Sequence, residues 1–359
     1  MSLLITADWH LTDTNYKKDF ISWLLSFDFQ ETISLIIVGD LVHDKDNHSA
    51  ELVYFITNTF KQLSSKFTEI YILKGNHDYK TGKPIIFKYL ELLNNVFIIE
   101  NAQHSYIKTH NSTITFIPHD TLENLPGLQQ FRTEGSLPLL FFHNDIINCV
   151  YDNQTKAVTG IPSNYFNNFK GEVFAGHFHK PQEYENFTII GSPYTVNFPV
   201  LLQNQNYSKY EGNRLVYIDN NNNIGNYYYK NAQRKTLRIN ANNYKNIIFQ
   251  LKNENYFLNN DEIKIVFEID NNFYTEFTKI SDSILTFFSY LENITIKIIP
   301  FFLENKEKVT IKEQEYSQKN VNDLIRSYAI QNKKGFKYIQ TACSIVENII
   351  TENTGIYNV

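Results

Sequence analysis

Five short segments of the chain carry side chains that bind metal ions. In order they are Asp8-Trp9-His10, Gly39-Asp40, Gly75-Asn76-His77-Asp78, His143 and Gly176-His177-Phe178-His179. Asp, Asn and His are hard or borderline oxygen and nitrogen donors. No thiolate accompanies them, which argues against a structural zinc site. Asp8, His10, Asp40, Asn76, His143, His177 and His179 make seven donors, more than one ion needs. Two ions sharing a bridging carboxylate, Asp40, would use them all. Such paired ions, about 3.5–4 Å apart, activate a water and clamp the attacking and leaving oxygens of a phosphoester. Glycines beside the donors permit tight turns and close backbone approach. Each segment alone is weak. Asp-x-His is common, Gly-Asp is usually a turn, and a lone His143 after a strand is more often a surface or core histidine. The signal lies in the ordered set, with each segment closing an apolar run.

Those runs must position the donors. Residues 3–7, 35–38, 70–73, 139–142 and 173–175 read as short strands, with further strands at 96–100, 114–117 and 188–190. Helical patterns fall between them at about 17–27 and 49–66, the latter with Leu52, Val53, Ile56, Phe60 and Leu63 at helical spacing. Another helix is expected over 85–94. β-branched runs separated by helices predict layered α/β packing. In α/β sheets, ligands gather at the carboxyl ends of strands. Residues 215–218 and 227–229 form an expected edge hairpin around the Asn220–Asn223 turn. Residues 237–300 read as strand (247–251), strand (263–269), helix (274–291) and strand (295–299), a small α+β module. Residues 304–319 are polar, and 320–351 contain two helical stripes broken at Lys333-Lys334-Gly335.

The composition sets outer bounds. The 359 residues are 42% hydrophobic and 15% aromatic, enough to bury a sizeable core and to exclude global disorder. A net charge of −5 excludes a uniformly basic nucleic-acid-binding surface, so a nucleic-acid role needs a local basic patch, bound metal or a partner. Abundant Asn, Ile, Lys, Tyr and Phe reflect an AT-rich genome rather than a mechanism. Cys149 and Cys343 are far apart, form no metal-spaced pair and read as buried thiols of a reducing compartment. Asp8 interrupts the apolar stretch a signal peptide would need, and no apolar run approaches the roughly 18 residues of a membrane span. The expected location is the cytoplasm, or a host's cytoplasm for a phage-encoded protein.

The ordered set resembles the calcineurin-like metallophosphoesterase superfamily, and within it the SbcD-type nuclease subunits of DNA double-strand-break repair complexes, including recombination endonuclease subunits of large phages. Gly39-Asp40-Leu41-Val42-His43-Asp44 is similar to that branch's Gly-Asp-Leu-Phe-His. Protein phosphatases have Gly-Asp-x-Val-Asp-Arg-Gly there, and this chain lacks that arginine. Ile190-Gly191-Ser192-Pro193-Tyr194 is similar to the branch's Gly-Ser-Pro segment, which approaches the nucleotide. The metal motifs cover about residues 1–200; beyond residue 235 the likeness is architectural.

The resemblance implies an α/β fold: a two-sheet metallophosphoesterase sandwich flanked by helices, with a small α+β capping domain and C-terminal helices. It implies a nuclease domain over 1–235, a capping, DNA-binding domain over 236–303, a linker over 304–319 and a helical partner-binding motif over 320–359. Asp8, His10, Asp40 and His179 would hold one divalent ion. Asp40, Asn76, His143 and His177 would hold the other, with manganese the usual metal of the family. His77 would stabilise the phosphate or protonate the leaving oxygen, His43 would position DNA, and Ser192 and Tyr194 would contact substrate. Asp78 is expected to support His77, and Trp9 to pack. His48, His104 and His110 fit no spacing the site needs, and His119 is an accessory contact at most. Implied partners are DNA, a coiled-coil SbcC-type ATPase bound through 320–359, and a second copy paired through helices near 50–66 and 84–94. Phe55, Phe87 and Tyr89, off the main apolar stripe, suggest that pairing. Two alternatives stand beside this reading. One is a small-molecule or cyclic-nucleotide phosphodiesterase or phosphatase with the same metal site. The other is a scaffold that has lost catalysis, which should have broken ligands; here every expected ligand is present.

Overall fold

A computed structural model describes residues 2–302, apart from 14–16, 30–31, 47, 82, 108–111, 121–123, 126, 128–136, 198–206, 210–213, 230–233, 241, 254–261, 270–273 and 288–294. The chain divides into units Met1–Leu303 and Glu304–Val359. The helices expected within 320–351, and Cys343, lie outside the described residues.

Within the first unit, β1 (Ser2–Thr6), α1 (Lys18–Ser26), β2 (Ile33–Ile37), α2 (Ala50–Lys66), β3 (Ile70–Leu73) and β4 (Val96–Ile99) build a parallel run of strands. Next come β5 (Gln103–Ile107), β6 (Ser112–Ile117), β7 (Leu139–Phe142), β8 (Glu172–Ala175), β9 (Gln182–Glu183) and β10 (Thr188–Ile189). They are followed by β11 (Tyr207–Lys209), β12 (Arg214–Ile218), β13 (Ile224–Tyr228), β14 (Arg234–Asn240), α3 (Tyr244–Asn253), β15 (Glu262–Ile269), α4 (Tyr274–Phe287) and β16 (Thr295–Phe302). The first sheet has the order β13-β12-β1-β2-β3-β4 and the second β5-β6-β7-β8-β10-β9. The β12–β13 hairpin sits at the edge of the first sheet, as its turn residues predict.

Strand alternation sorts the side chains into layers. Leu3, Ile5, Ile36 and Val38 of the first sheet meet Phe116, Leu139, Phe141 and Phe174 of the second in a dry seam between the sheets. Leu4, Leu35, Ile37 and Ile70 point the other way, onto Phe20 and Leu24 of α1 and Leu52, Ile56, Phe60 and Leu63 of α2. α2 starts where the Ser49 hydroxyl accepts the Leu52 amide at 3.1 Å, an N-cap that Asp13 braces by accepting the Ser49 hydroxyl. Leu140, Phe142, Val173 and Ile189 cover the outer face of the second sheet together with Ile146, Cys149 and Phe166. The result is an α/β sandwich of two sheets flanked by helices. Among the described residues no helix is long and apolar enough to cross a membrane.

A third sheet, β11-β14-β15-β16, has parallel β14, β15 and β16, with α3 and α4 as the connections between them. Here the sequence reading needs correction. Residues 247–251 are not a strand but lie in α3. Ile247, Ile248 and Leu251 occupy one helical face, all buried against Leu237, Ile239 and Ile265. A crossover between parallel strands needs such a helix, and a short apolar run does not tell helix from strand. β14, whose charged residues hid it, was not anticipated; neither was β5. A second correction concerns 85–94, which forms only a short 3₁₀ turn at Lys88–Leu92. Its buried residues Ile85, Phe87 and Leu90 are spaced two and three apart, too tight for a 3.6-residue period.

Candidate metal centre

The donors sit where the parallel strands of both sheets end. Asp8 follows β1, Asp40 follows β2, Asn76 follows β3, His143 follows β7 and His177 follows β8. The chain turns sharply at these ends. Asp8, His10, Asp40 and His177 all have left-handed backbone, with φ of 55°, 43°, 51° and 79°. Side chains pay for that conformation with strain, which persists where surrounding contacts over-determine it. Here they do. The amides of Asp8 and His10 donate to the carbonyls of Gly39 and Asp40 at 3.0 and 2.9 Å, and the His177 amide donates to the Asp8 carboxylate at 3.0 Å. The His77 amide donates to Asp40 Oδ1 at 2.8 Å. Two glycines make room. A Cβ on Gly39, whose φ is +82°, would lie 2.0 Å from His143 Nδ1, and one on Gly75 would lie 2.2 Å from Asp40 Oδ1.

The seven anticipated donors converge in two groups. The ligand atoms of Asp8, His10 and His179 lie within 4.8 Å of one another, and so do those of Asp40, His143 and His177. Asp40 spans the two: one carboxylate oxygen is 3.5 Å from His10 Nε2 and the other 3.5 Å from His143 Nε2. Asn76 Oδ1 lies 2.8 Å from His177 Nδ1 and 3.2 Å from His143 Nε2. His179 Nε2 and His10 Nε2 approach to 2.9 Å. Each histidine of the set points one nitrogen inward while the other is anchored: His143 Nδ1 on the Val38 carbonyl at 2.8 Å, His177 Nε2 on Asp145, His179 Nδ1 on Asp152, and His10 Nδ1 against His43 Nδ1.

The electrostatics follow from burial. Burial pushes the Asp8 carboxyl up to about 6, against the pull of His143 and His179. Burial acts on Asp40 in the same sense, yet the imidazoles of His143, His10 and His77 hold it well below the usual carboxylate range. Burial depresses His10. It works against a charge on His143 too, but the Asp40 carboxylate drives that imidazole up to about 9. Protons and cations therefore compete for the same buried atoms. Inward-aimed imidazole nitrogens, carboxylates and an amide oxygen, bridged by one carboxylate, fit two divalent ions of oxygen- and nitrogen-seeking type. Cys149, the thiol among the described residues, is buried in a separate cluster.

His77 and His43 flank this set. Their rings stack at 5.1 Å, and both lie against His10, at 4.8 and 5.2 Å. His77 Nδ1 donates to the His43 carbonyl at 2.5 Å, which leaves Nε2 for other partners. Other expectations change. Ser192 and Tyr194 are buried and turned inward. The Ser192 hydroxyl donates to the Asp8 carbonyl at 2.8 Å and the Tyr194 hydroxyl to the Trp9 carbonyl. Their side chains thus fasten the first donor loop. Asp78 does not support the His77 ring. Its two oxygens accept the amides of Val42 and Gly75 at 3.2 and 2.8 Å, tying the second donor loop to the third. Trp9 packs, fully buried, edge-on to Phe20. His119 Nδ1 and the Tyr79 hydroxyl share a hydrogen bond at 3.1 Å beside His143, and burial lowers the His119 imidazole to about 4. His104 lies in β5, and His110 lies outside the described residues.

Asp145 and Asp152 were missed. Nothing in their spacing sets them apart, since the partner of each is a histidine 32 or 27 residues away. The one usable signal is chemical: a metal-binding histidine generally donates its second N–H to a carboxylate or carbonyl.

The family model for calcineurin-like phosphoesterases matches residues 1–181, half of the chain, and its span contains all seven donors together with His43 and His77. No curated protein matches the chain significantly. With strand ends, donor order and bridging carboxylate all inside the matched span, the chain belongs to the calcineurin-like phosphoesterase family, whose members use divalent metals to hydrolyse phosphoesters.

Proposed function

We propose that this phosphoesterase is a DNA nuclease, the SbcD-type subunit of a double-strand-break repair or recombination complex, with manganese as its metal. The observation that carries the reading is His43. It sits three residues after the bridging Asp40, where a phosphatase would have an Asp-Arg-Gly turn, and its ring stacks on His77 at the rim of the centre. A pair of imidazoles there offers N–H groups to a phosphodiester with two bulky esters. A phosphomonoester, with more charge, is better matched by an arginine fork.

Bound divalent ions would supply a nucleophilic hydroxide and a clamp on the phosphate oxygens. Asp8, His10, Asp40 and His179 would hold one, and Asp40, Asn76, His143 and His177 the other. His77, with Nδ1 committed to the His43 carbonyl, presents Nε2 to the phosphate or the leaving oxygen. His43 fixes His77 and the DNA strand. Residues 320–359 would dock on a coiled-coil ATPase, with 304–319 as tether and 236–303 as a DNA-facing cap. A second copy would pair through the region of α2 and the 3₁₀ turn. Phe87 is fully buried, and Phe55 and Tyr89 pack on the subunit's own core; Tyr54, 70% exposed, and Leu92, 86% exposed, are the free apolar side chains.

The test is substrate choice by the full-length protein in manganese. Cleavage of linear duplex DNA supports the nuclease. Hydrolysis of only cyclic nucleotides or phosphomonoesters sinks it in favour of the small-molecule enzyme.

A further inference from the structure

One loop braces both halves of the centre. It runs over residues 144–161, directly after His143, and carries the two carboxylates that hold the last two histidines. Asp145 Oδ1 lies 2.8 Å from His177 Nε2, in the Asp40–His143–His177 half. Asp152 Oδ2 lies 2.7 Å from His179 Nδ1, in the Asp8–His10–His179 half. Each carboxylate is itself fixed: the Tyr151 hydroxyl donates to Asp145, and the Asn197 amide donates to Asp152 at 3.0 Å.

The loop that presents them is tied to itself and to the sheet. Ile147 donates to the Ile161 carbonyl at 2.9 Å, Ala157 to Cys149 at 2.8 Å and Ile161 to Asp145 at 3.0 Å. The Gln182 side chain pairs with both backbone groups of Val150, at 2.8 and 2.9 Å. Ile146, Cys149, Ala157 and Ile161 are buried with Phe142 and Phe178. Gly160 closes the turn at φ +119°, where a Cβ would lie 2.5 Å from the Asp145 carbonyl.

We propose that Asp145 and Asp152 are positioning residues, each dedicated to a different ion of the pair. An imidazole that donates one N–H to a carboxylate is locked in tautomer and ring orientation, and its other nitrogen becomes a better donor. Asp145 does this for His177 and Asp152 for His179, so the loop sets the two affinities separately while fixing their spacing. The inference rests on the two-ion reading of the centre and not on DNA as substrate.

The experiment is manganese titration of the full-length protein by calorimetry, with metal content measured after dialysis. The parent should bind two ions. Asp145→Ala and Asp152→Ala should each weaken one ion by about 10–100-fold. The assignment is read in a His10→Ala background, where the Asp40–His143–His177 half remains. There Asp145→Ala should weaken the remaining ion, and Asp152→Ala should leave it unchanged. Asp145→Asn keeps an oxygen that accepts the N–H and should recover part of the loss. Tyr151→Phe, a milder change, should show a smaller loss in the same ion and carries the test if Asp145→Ala fails to fold. Two ions bound with parental affinity in both alanine variants would overturn the proposal, as would equal weakening of the remaining ion by both in the His10→Ala background. A parent that binds no pair of ions would overturn the two-ion reading itself.

Discussion

At the carboxyl ends of β1, β2 and β8, left-handed Asp8, His10, Asp40 and His177 gather ionisable groups, and Asp8 and Asp40 are at most 1% exposed. The described residues between 234 and 302 build on the same parallel pairing but include no buried Asp, Glu or His. There the ion pairs lie nearer the surface, as in Arg234–Glu262 at 2.9 Å and Arg238–Glu268 at 3.5 Å, each a quarter to a third exposed on at least one side, although Lys235 on β14 is buried. Both regions are sheets of mostly parallel strands with helical crossovers. They differ in what their polar groups are for. A buried polar network is strong when complete and expensive when broken; a half-exposed ion pair is worth little either way. Substitutions should therefore divide sharply by region, and four changes test that division.

The largest effect belongs to Asp40→Ala. It removes the oxygens facing both His10 and His143 and the acceptor of the His77 amide. No neighbour can replace a bridging carboxylate, so manganese content should fall from two ions to none or one, with phosphodiester cleavage at background. A variant that retains both ions would show that Asp40 is not the bridge.

Next is His77→Ala, which leaves every donor in place. Loss of a general acid or an electrostatic contact in the transition state typically lowers a rate by about 10²–10⁴. Manganese stoichiometry should be parental while kcat falls by that much. Parental cleavage would remove His77 from the chemistry.

Gly39→Ala acts through the backbone instead. Its φ of +82° strains any L side chain, and the new methyl would collide with His143 Nδ1, which now donates to Val38. Strain of this kind costs about 1–3 kcal/mol. The His143 ring must also move, so the Asp40–His143–His177 half should lose affinity before the other. A melting temperature and metal content equal to the parent's would show that this loop is looser than its contacts imply.

These three substitutions also mark what the sequence discloses. The seven candidate donors were legible because their segments close apolar runs in a fixed order, which is local in sequence, and His43 and His77 were legible through the family resemblance. Layered α/β packing was legible in the same way, through apolar runs such as residues 35–38, all buried, while the two-sheet arrangement followed from the resemblance. What stayed hidden depends on meetings across long separations. Asp145 and Asp152 look like ordinary loop acids until the fold brings them to His177 and His179. Ser192 and Tyr194 sit in a motif whose side chains turn out to fasten the loop of Asp8 and Trp9. In the third sheet, α3 was misread because Ile247-Ile248 favours strand in isolation, while the parallel pairing of β14 with β15 demands a helix between them.

The smallest effect should come from Arg238→Ala. Arg238 sits on β14, its Nε 3.5 Å from Glu268 on the neighbouring β15, with the two side chains 30% and 21% exposed. Solvent screens a pair at that distance and exposure, so its loss should cost at most about 1 kcal/mol. The buried face of the same strand, Leu237 and Ile239 against α3, is untouched by the change. The strand itself should stay paired, since its register with β15 is held by backbone hydrogen bonds over seven residues, Arg234 to Asn240. Thermal unfolding should shift by a few degrees or less, and manganese affinity should not move. A large loss of stability would mean that charges on this sheet are used as tightly as those of the metal centre. A loss of manganese with the fold intact would mean that the third sheet supports the donor loops directly. Either result would erase the division between the two regions.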